Sequence, residues 1–335
     1  MIRYYRANVN NDTASNGGKV DYSKRIVDSG IDNVLPSILE DERDNGVDRY
    51  RKIFGHYIVI DETGTRNTLA FVKIQPNLSI TDRVYMAEGT TTDTQGDIDS
   101  GYTFHGSGVL AEAVTANVSE DLFVYTREEY GFNDNDYIFI CELSGDNITT
   151  SKYEVLRAAS ASYSEVSGGY SLGGLTNGAG GDVFRQSFLT PSATMVCSCV
   201  YLGDIIAESY DLVNPPASAY KGISELPAVN NLGAIDDEWT VTFLNDDGVF
   251  ELTRAGDVEY STTGSKDSNF SPVNYYNGQP FFTILSTDWY GTLLEGDSLS
   301  FKTKSASFPL WMFHRVASGS DSVYGVSTVI SVIGE

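Results

Sequence analysis

Apolar residues along this chain fall mostly into short runs, many with a two-residue period. Lys52 to Ile60 is aromatic and β-branched, and Thr68 to Ile74 alternates apolar and polar side chains behind a Glu62-Thr63-Gly64-Thr65 turn. Both read as strands, and the turn predicts that they pair as a hairpin. Val84-Tyr85-Met86-Ala87 and Tyr137 to Cys141 predict two further strands. A helical period is rare. Ile31, Val34, Leu35, Ile38 and Leu39 recur at three- and four-residue steps, but Pro36 interrupts them, which predicts a turn or a short helix within 31–45.

From about 157 to 235 the rhythm changes. Ser167-Gly168-Gly169, Gly173-Gly174 and Gly178-Ala179-Gly180-Gly181 punctuate a Ser/Ala/Gly-rich stretch, although Thr194 to Tyr201 still reads as a buried strand. Strand rhythm then returns. Glu238 to Phe243 and Val249 to Arg254 flank Asn245-Asp246-Asp247-Gly248, a turn that tolerates positive φ. Pro280 to Leu285, Ser298 to Thr303, Leu310 to Val316 and Val323 to Ile333 complete the set. The predicted fold is mainly β. An N-terminal β-rich domain spans 1–156, a loop-rich insertion or connecting region 157–235, and a C-terminal antiparallel β-sandwich 236–335.

Charge adds a second pattern. The 335 residues carry 22 Lys and Arg against 46 Asp and Glu, a net −24. Residues 1–83 hold 12 basic and 12 acidic residues, so the remainder carries the whole excess. A chain this acidic does not wrap nucleic acid through its phosphates, which needs clustered Lys and Arg. No apolar run reaches the ~20 residues of a membrane-spanning helix. Met1-Ile2-Arg3-Tyr4-Tyr5-Arg6 shows no apolar segment like that of a secretion signal. The 40 aromatic residues (3 Trp, 21 Tyr, 16 Phe) supply ample core, and three cysteines are no disulfide framework.

The neutral N-terminal quarter mixes its signs densely. Glu40-Asp41-Glu42-Arg43-Asp44 is followed by Arg49-Tyr50-Arg51-Lys52. Arg and Tyr are residues that interfaces favour, so Arg43, Arg49, Tyr50 and Arg51 are the predicted subunit contacts. A solvated face of local ion pairs is the plainer alternative.

No cluster announces a reaction. Cys197-Ser198-Cys199 would place two thiols on one strand face, yet a zinc site needs about four ligands and no other Cys or His lies near in sequence. His56, His105 and His314 sit in or beside aromatic strand sequence, without metal-ligand spacing. Gly106-Ser107-Gly108 is not a nucleophile elbow, and none of the glycine clusters leads into Lys-Ser or Lys-Thr. Asp93 to Asp99 and Asn133 to Asp136 gather hard oxygen ligands, but turn formation explains both and neither has EF-hand spacing. Catalytic, cofactor and metal residues are therefore assigned to none.

Two sets of stretches resemble proteins of tailed bacteriophages. The first comprises Ser29 to Pro36, Asp41-Glu42-Arg43, Arg49 to Phe54 and Gly89-Thr90-Thr91-Thr92-Asp93-Thr94-Gln95-Gly96. The second comprises Trp289-Tyr290-Gly291 through Phe301 and Pro309-Leu310-Trp311-Met312-Phe313-His314-Arg315-Val316. They are similar to virion structural proteins encoded among phage head and tail genes. The resemblance covers the two ends of the chain and not its glycine-rich middle. It implies a non-enzymatic part of the virion, in the tail, baseplate or neck, whose partners are its own copies and other virion proteins. It carries over no catalytic residue. A capsid decoration or fibre on the head exterior is an alternative. Another is a carbohydrate- or receptor-binding module that meets a host-surface glycan with Trp289-Tyr290 or Tyr275-Tyr276.

Overall fold

The structure, a computed structural model, describes all residues except 28–33, 59–64, 74–82, 99–100, 119, 127, 145–146, 178–183, 216–220, 321–328 and 335. Its strands begin with β1 (Ile2–Val9), β2 (Gly17–Ile26), β3 (Val47–Tyr57), β4 (Thr65–Lys73), β5 (Arg83–Glu88), β6 (Ser107–Leu110), β7 (Leu122–Tyr125) and β8 (Tyr137–Ser144). Next come β9 (Asn147–Arg157), β10 (Ser160–Ser164), β11 (Gly169–Gly173), β12 (Thr176–Asn177), β13 (Thr194–Ile205), β14 (Glu208–Val213), β15 (Gly222–Ile223) and β16 (Asp237–Phe243). The last are β17 (Val249–Arg254), β18 (Asp257–Ser265), β19 (Val273–Asn274), β20 (Gln279–Pro280), β21 (Trp289–Tyr290), β22 (Ser298–Lys304), β23 (Ser307–Val316) and β24 (Val329–Ile333). Helix among the described residues is α1 (Glu40–Asn45) and two 3-10 turns, Gln95–Asp97 and Pro191–Ala193. The fold is mainly β, as the short alternating runs predict.

Two compact units divide the chain. One comprises Met1–Arg3, Gly55–Thr65 and Asp204–Ser307; the other comprises Tyr4–Phe54, Arg66–Gly203 and Phe308–Glu335. Neither sequence boundary, near 156 or near 235, is a division between units. The strands predicted at 310–316 and 323–333 do not join the C-terminal sheet. β23 pairs β5, and β24 pairs β4, with residues 323–328 outside the described ones. Burial gives the reason for β23: its middle residues, Leu310 to His314, are all buried, so it needs cover on both faces and a strand on each side.

The smaller unit is built on a five-stranded sheet in the order β14-β22-β16-β17-β18. β16 alternates as its sequence dictates, with Trp239, Val241 and Phe243 buried. The β16–β17 register sets Val241 opposite Leu252 and Phe243 opposite Phe250, and β22 adds Leu299 and Phe301 to the same face. Gly248, at φ +89°, closes the hairpin. The predicted strand at 280–285 is instead mostly irregular chain, and it forms the second layer. Phe281, Phe282 and Ile284 are buried over the sheet, with Phe281 and Phe282 each 5.0 Å from the Trp239 ring. Burying each such ring contributes roughly 1.5–3 kcal/mol.

The larger unit holds two sheets. One has the order β2-β1-β3-β23-β5. The other, of ten strands, runs β10-β11-β7-β6-β13-β8-β9-β12, with β4 pairing β13 and β24 off that path. The predicted hairpin of β3 with β4 does not form: β3 lies between β1 and β23 because Lys52 to His56 is buried without alternation. Cys141, Met195, Cys197 and Cys199 pack with Phe71 and Phe139 on one face of the ten-stranded sheet. Ile138, Ile140, Leu156 and Val196 pack on the other. The helical apolar period near 31–45 does not become a helix beyond α1, whose six residues are all charged or amide-bearing; residues 31–33 lie outside the described ones.

Candidate functional site

Three stretches far apart in sequence meet in the larger unit around one buried ion pair. Lys52 comes from β3, Asp93 from the loop before the Gln95–Asp97 turn, and Trp311 from β23. The Lys52 Nζ lies 2.5 Å from Asp93 Oδ1, and the two side chains are 0% and 5% exposed. Nζ also donates to the carbonyls of Gly18 (2.7 Å) and Asp93 (2.9 Å). Asp93 Oδ2 accepts from Trp311 Nε1 (2.7 Å) and from the Tyr102 hydroxyl. Rings complete the walls, with Nζ 5.1 Å from the Phe54 centroid and 5.7 Å from that of Trp311.

Local sequence explains the closure. Gly17 has φ +111°, and a Cβ there would stand 2.8 Å from both the Asp93 carbonyl and the Trp311 ring. The start of β2 therefore packs directly on the pair, and Gly18 N donates to the Asp93 carbonyl (2.8 Å). Burial depresses the Lys52 amine below its ordinary range. Burial alone would raise Asp93, but its bonds from Lys52, Tyr102 and Trp311 outweigh that and hold it below the usual carboxylate value.

A second polar cluster lies in the same unit. Ser198 of β13 is wholly buried, and its hydroxyl donates to Asp136 Oδ2 (2.5 Å). With that proton committed, the oxygen accepts from His105 Nδ1 (2.7 Å). Asp136 also accepts from the Asn133 amide (2.7 Å) and lies 3.6 Å from His105 Nδ1. Serine, histidine and aspartate are thus together, but not in relay order: the carboxylate binds the hydroxyl itself, and 0% exposure denies it a substrate. Neighbour residues in sequence give no sign of this cluster, because Ser198 stands 93 positions from His105.

The predicted subunit contacts, Arg43, Arg49, Tyr50 and Arg51, each have partners within the chain. Arg49, 8% exposed, binds the Glu42 carboxylate and the carbonyls of Pro36 (3.4 Å) and Ser37 (3.2 Å). Arg51, 6% exposed, binds Asp12 Oδ1 (2.6 Å) and the carbonyls of Asn11 and Tyr50, holding the Asp12 carboxyl below its usual range. The Tyr50 ring lies flat on Phe313 at 4.8 Å, and half-buried Arg43 reaches the Ile38 carbonyl (3.1 Å). The dense mixing of signs supplies these partners locally, and little of Arg49 and Arg51 is left for a neighbour.

The remaining candidates are also placed. Asp97 accepts from the amide and hydroxyl of Thr94 within its own turn, and Asp134 accepts from the Ala161 amide of β10, which ties its loop to that strand. Among the described residues no three His, Cys, Asp or Glu side chains are grouped to share a metal ion. Cys197 and Cys199 do share a strand face, in the core, and burial pushes the Cys199 thiol up. Ser107 is buried in β6. In the smaller unit Trp289 is no open platform, since its ring packs against Phe243 and Phe250. Tyr275 and Tyr276 are exposed, 4.3 Å apart, with the Tyr275 hydroxyl accepting from Arg254 (3.0 Å). No helix among the described residues is long and apolar enough to cross a membrane. Compared with family models, curated proteins and solved structures, the chain matches none.

Proposed function

We propose that this chain is a structural component of a tailed-phage particle, in its tail, baseplate or neck, acting by multimeric assembly with its own copies and other virion proteins. One observation carries the reading. Stretches by which the chain resembles virion proteins, Arg49 to Phe54, Gly89 to Gly96 and Pro309 to Val316, converge on the Lys52–Asp93–Trp311 cluster. The polar groups there are turned on one another inside a closed framework, which is what a load-carrying part needs from its shared residues. Exposed aromatics on β7, Phe123 at 44% and Tyr125 at 42%, offer surface of the kind that copies bury.

The test is direct. Antibody-gold labelling of particles, combined with counting copies per particle, should place the chain on the tail, baseplate or neck in small symmetric number. Copies tiling the shell would move it to the head exterior, and absence from particles would overturn the reading.

A further inference from the structure

We propose that Lys52 and Asp93 join spontaneously in an intramolecular isopeptide bond that locks β3 to the loop at Asp93. This goes beyond the assembly role and does not depend on it.

Placement sets this pair apart. The other lysine–carboxylate pairs of the described residues reach water: Lys221–Asp297 is 11% and 16% exposed, Lys152–Glu142 31% and 24%, and Lys302–Asp211 41% and 59%. Lys52–Asp93 alone is dry, at 0% and 5%. Its Nζ stands 2.5 Å from Oδ1, in direct contact with the carboxyl group. Two carbonyls, of Gly18 and Asp93, accept from Nζ and fix its position beside the carboxyl group.

The chemistry balances without a co-reactant. One proton passes from the ammonium to Oδ1, leaving a neutral amine facing a carboxylic acid. Nζ attacks Cγ and forms the N–C bond, and negative charge gathers on Oδ2. Trp311 Nε1–H and the Tyr102 hydroxyl already donate to that oxygen, so they stabilise the charge as it develops. A second proton moves from Nζ to Oδ1, the Cγ–Oδ1 bond breaks, and water leaves. Ammonium plus carboxylate has become a secondary amide plus water, with no net change of charge.

Three physical effects favour the step here and oppose it in open water. Fixed side chains reach effective concentrations on the order of 10⁵–10⁸ M. Two ions removed from water carry a desolvation penalty that a neutral amide escapes. Gly17, Phe54 and Trp311 stand against the pair and leave it 0% and 5% exposed, so bulk water does not reach the new bond to hydrolyse it.

Intact-mass spectrometry of the folded, purified full chain tests this. The mass should fall short of the sequence mass by one water, and trypsin should yield a branched peptide in which Lys52 is joined to Asp93 and is not cut. Lys52→Arg keeps the positive charge but offers no such amine, and it should show the full mass. A wild-type chain at full mass, with trypsin cutting after Lys52, overturns the proposal. So does a water loss that leaves Lys52 and Asp93 in separate peptides, which marks cyclisation at an aspartate instead. Both readouts come from the wild-type chain, so the result stands whether or not the variant folds, and whatever the chain's place in a particle.

Discussion

His56 shows how much a single buried ring can weigh in this fold. It is 2% exposed in the smaller unit, and its Nε2 meets the Asn231 carbonyl at 2.9 Å. Burial, with a small further push from Arg3, lowers it from an ordinary 6.5 to about 4. A histidine depressed in the folded state gives stability that is complete above pH 6.5 and is lost as pH falls from 6.5 through 4, because the unfolded chain takes up the proton first. The whole swing is about 3 kcal/mol, at up to about 1.4 kcal/mol per pH unit. Urea unfolding at pH 7 and pH 4.5 should therefore show a loss in the wild type that is at least halved in His56→Gln, and equal losses in both would remove His56 as the cause. The sequence marks His56 as a residue in aromatic strand surroundings, which the structure bears out. It gives no sign of the Asn231 carbonyl, 175 positions away, because only tertiary packing brings the two together.

At the scale of elements, pattern decides what is legible. The β16–β17 hairpin is readable because Trp239, Val241 and Phe243 alternate with polar residues and Gly248 supplies the turn. β3, β13 and β23 are readable as buried runs, but their neighbours are not, since a strand buried on both faces fits any gap of the right length. Lys52 and Asp93 were hidden for the same reason: a lysine and an aspartate 41 residues apart look like two solvated charges until the strands are placed. Packing between strands also sets limits that composition conceals. Gly264 of β18 has an ordinary extended φ, yet a Cβ there would fall 2.5 Å from both the Phe250 and Phe270 rings. Gly264→Ala should lower stability by about 1–3 kcal/mol through overpacking, read as a lower urea midpoint at unchanged slope. An unchanged midpoint would mean that β18 shifts on β17 without loss. A second test of the same contact is Gly264→Ala combined with Phe270→Leu, which should recover part of that loss.

For the whole molecule, the structure redraws the charge map. The sequence divides a neutral 1–83 from an acidic remainder, but the chain passes back and forth between units, and the charge follows it. The smaller unit carries 6 basic and 18 acidic residues and the larger 16 and 28, so each is −12. No unit is a neutral dock. Copies that assemble must then approach against repulsion, and contacts made by apolar surface such as Phe123 and Tyr125 must overcome it. Salt weakens that repulsion, with a screening length of ~10 Å at 0.1 M and ~3 Å at 1 M, and leaves apolar contact intact or stronger. Sedimentation of the full chain should thus show multimers growing with salt, half-assembly at 1 M needing at least tenfold less protein than at 0.1 M. Phe123→Ser with Tyr125→Ser should cancel most of that gain while leaving the unfolding midpoint within about 0.5 kcal/mol of wild type, as exposed positions allow. Multimers that fall apart as salt rises would instead assign the contact to ion pairs between copies, and would return the search for it to the exposed lysines, Lys24, Lys302 and Lys304, which lie outside the buried Arg49 and Arg51.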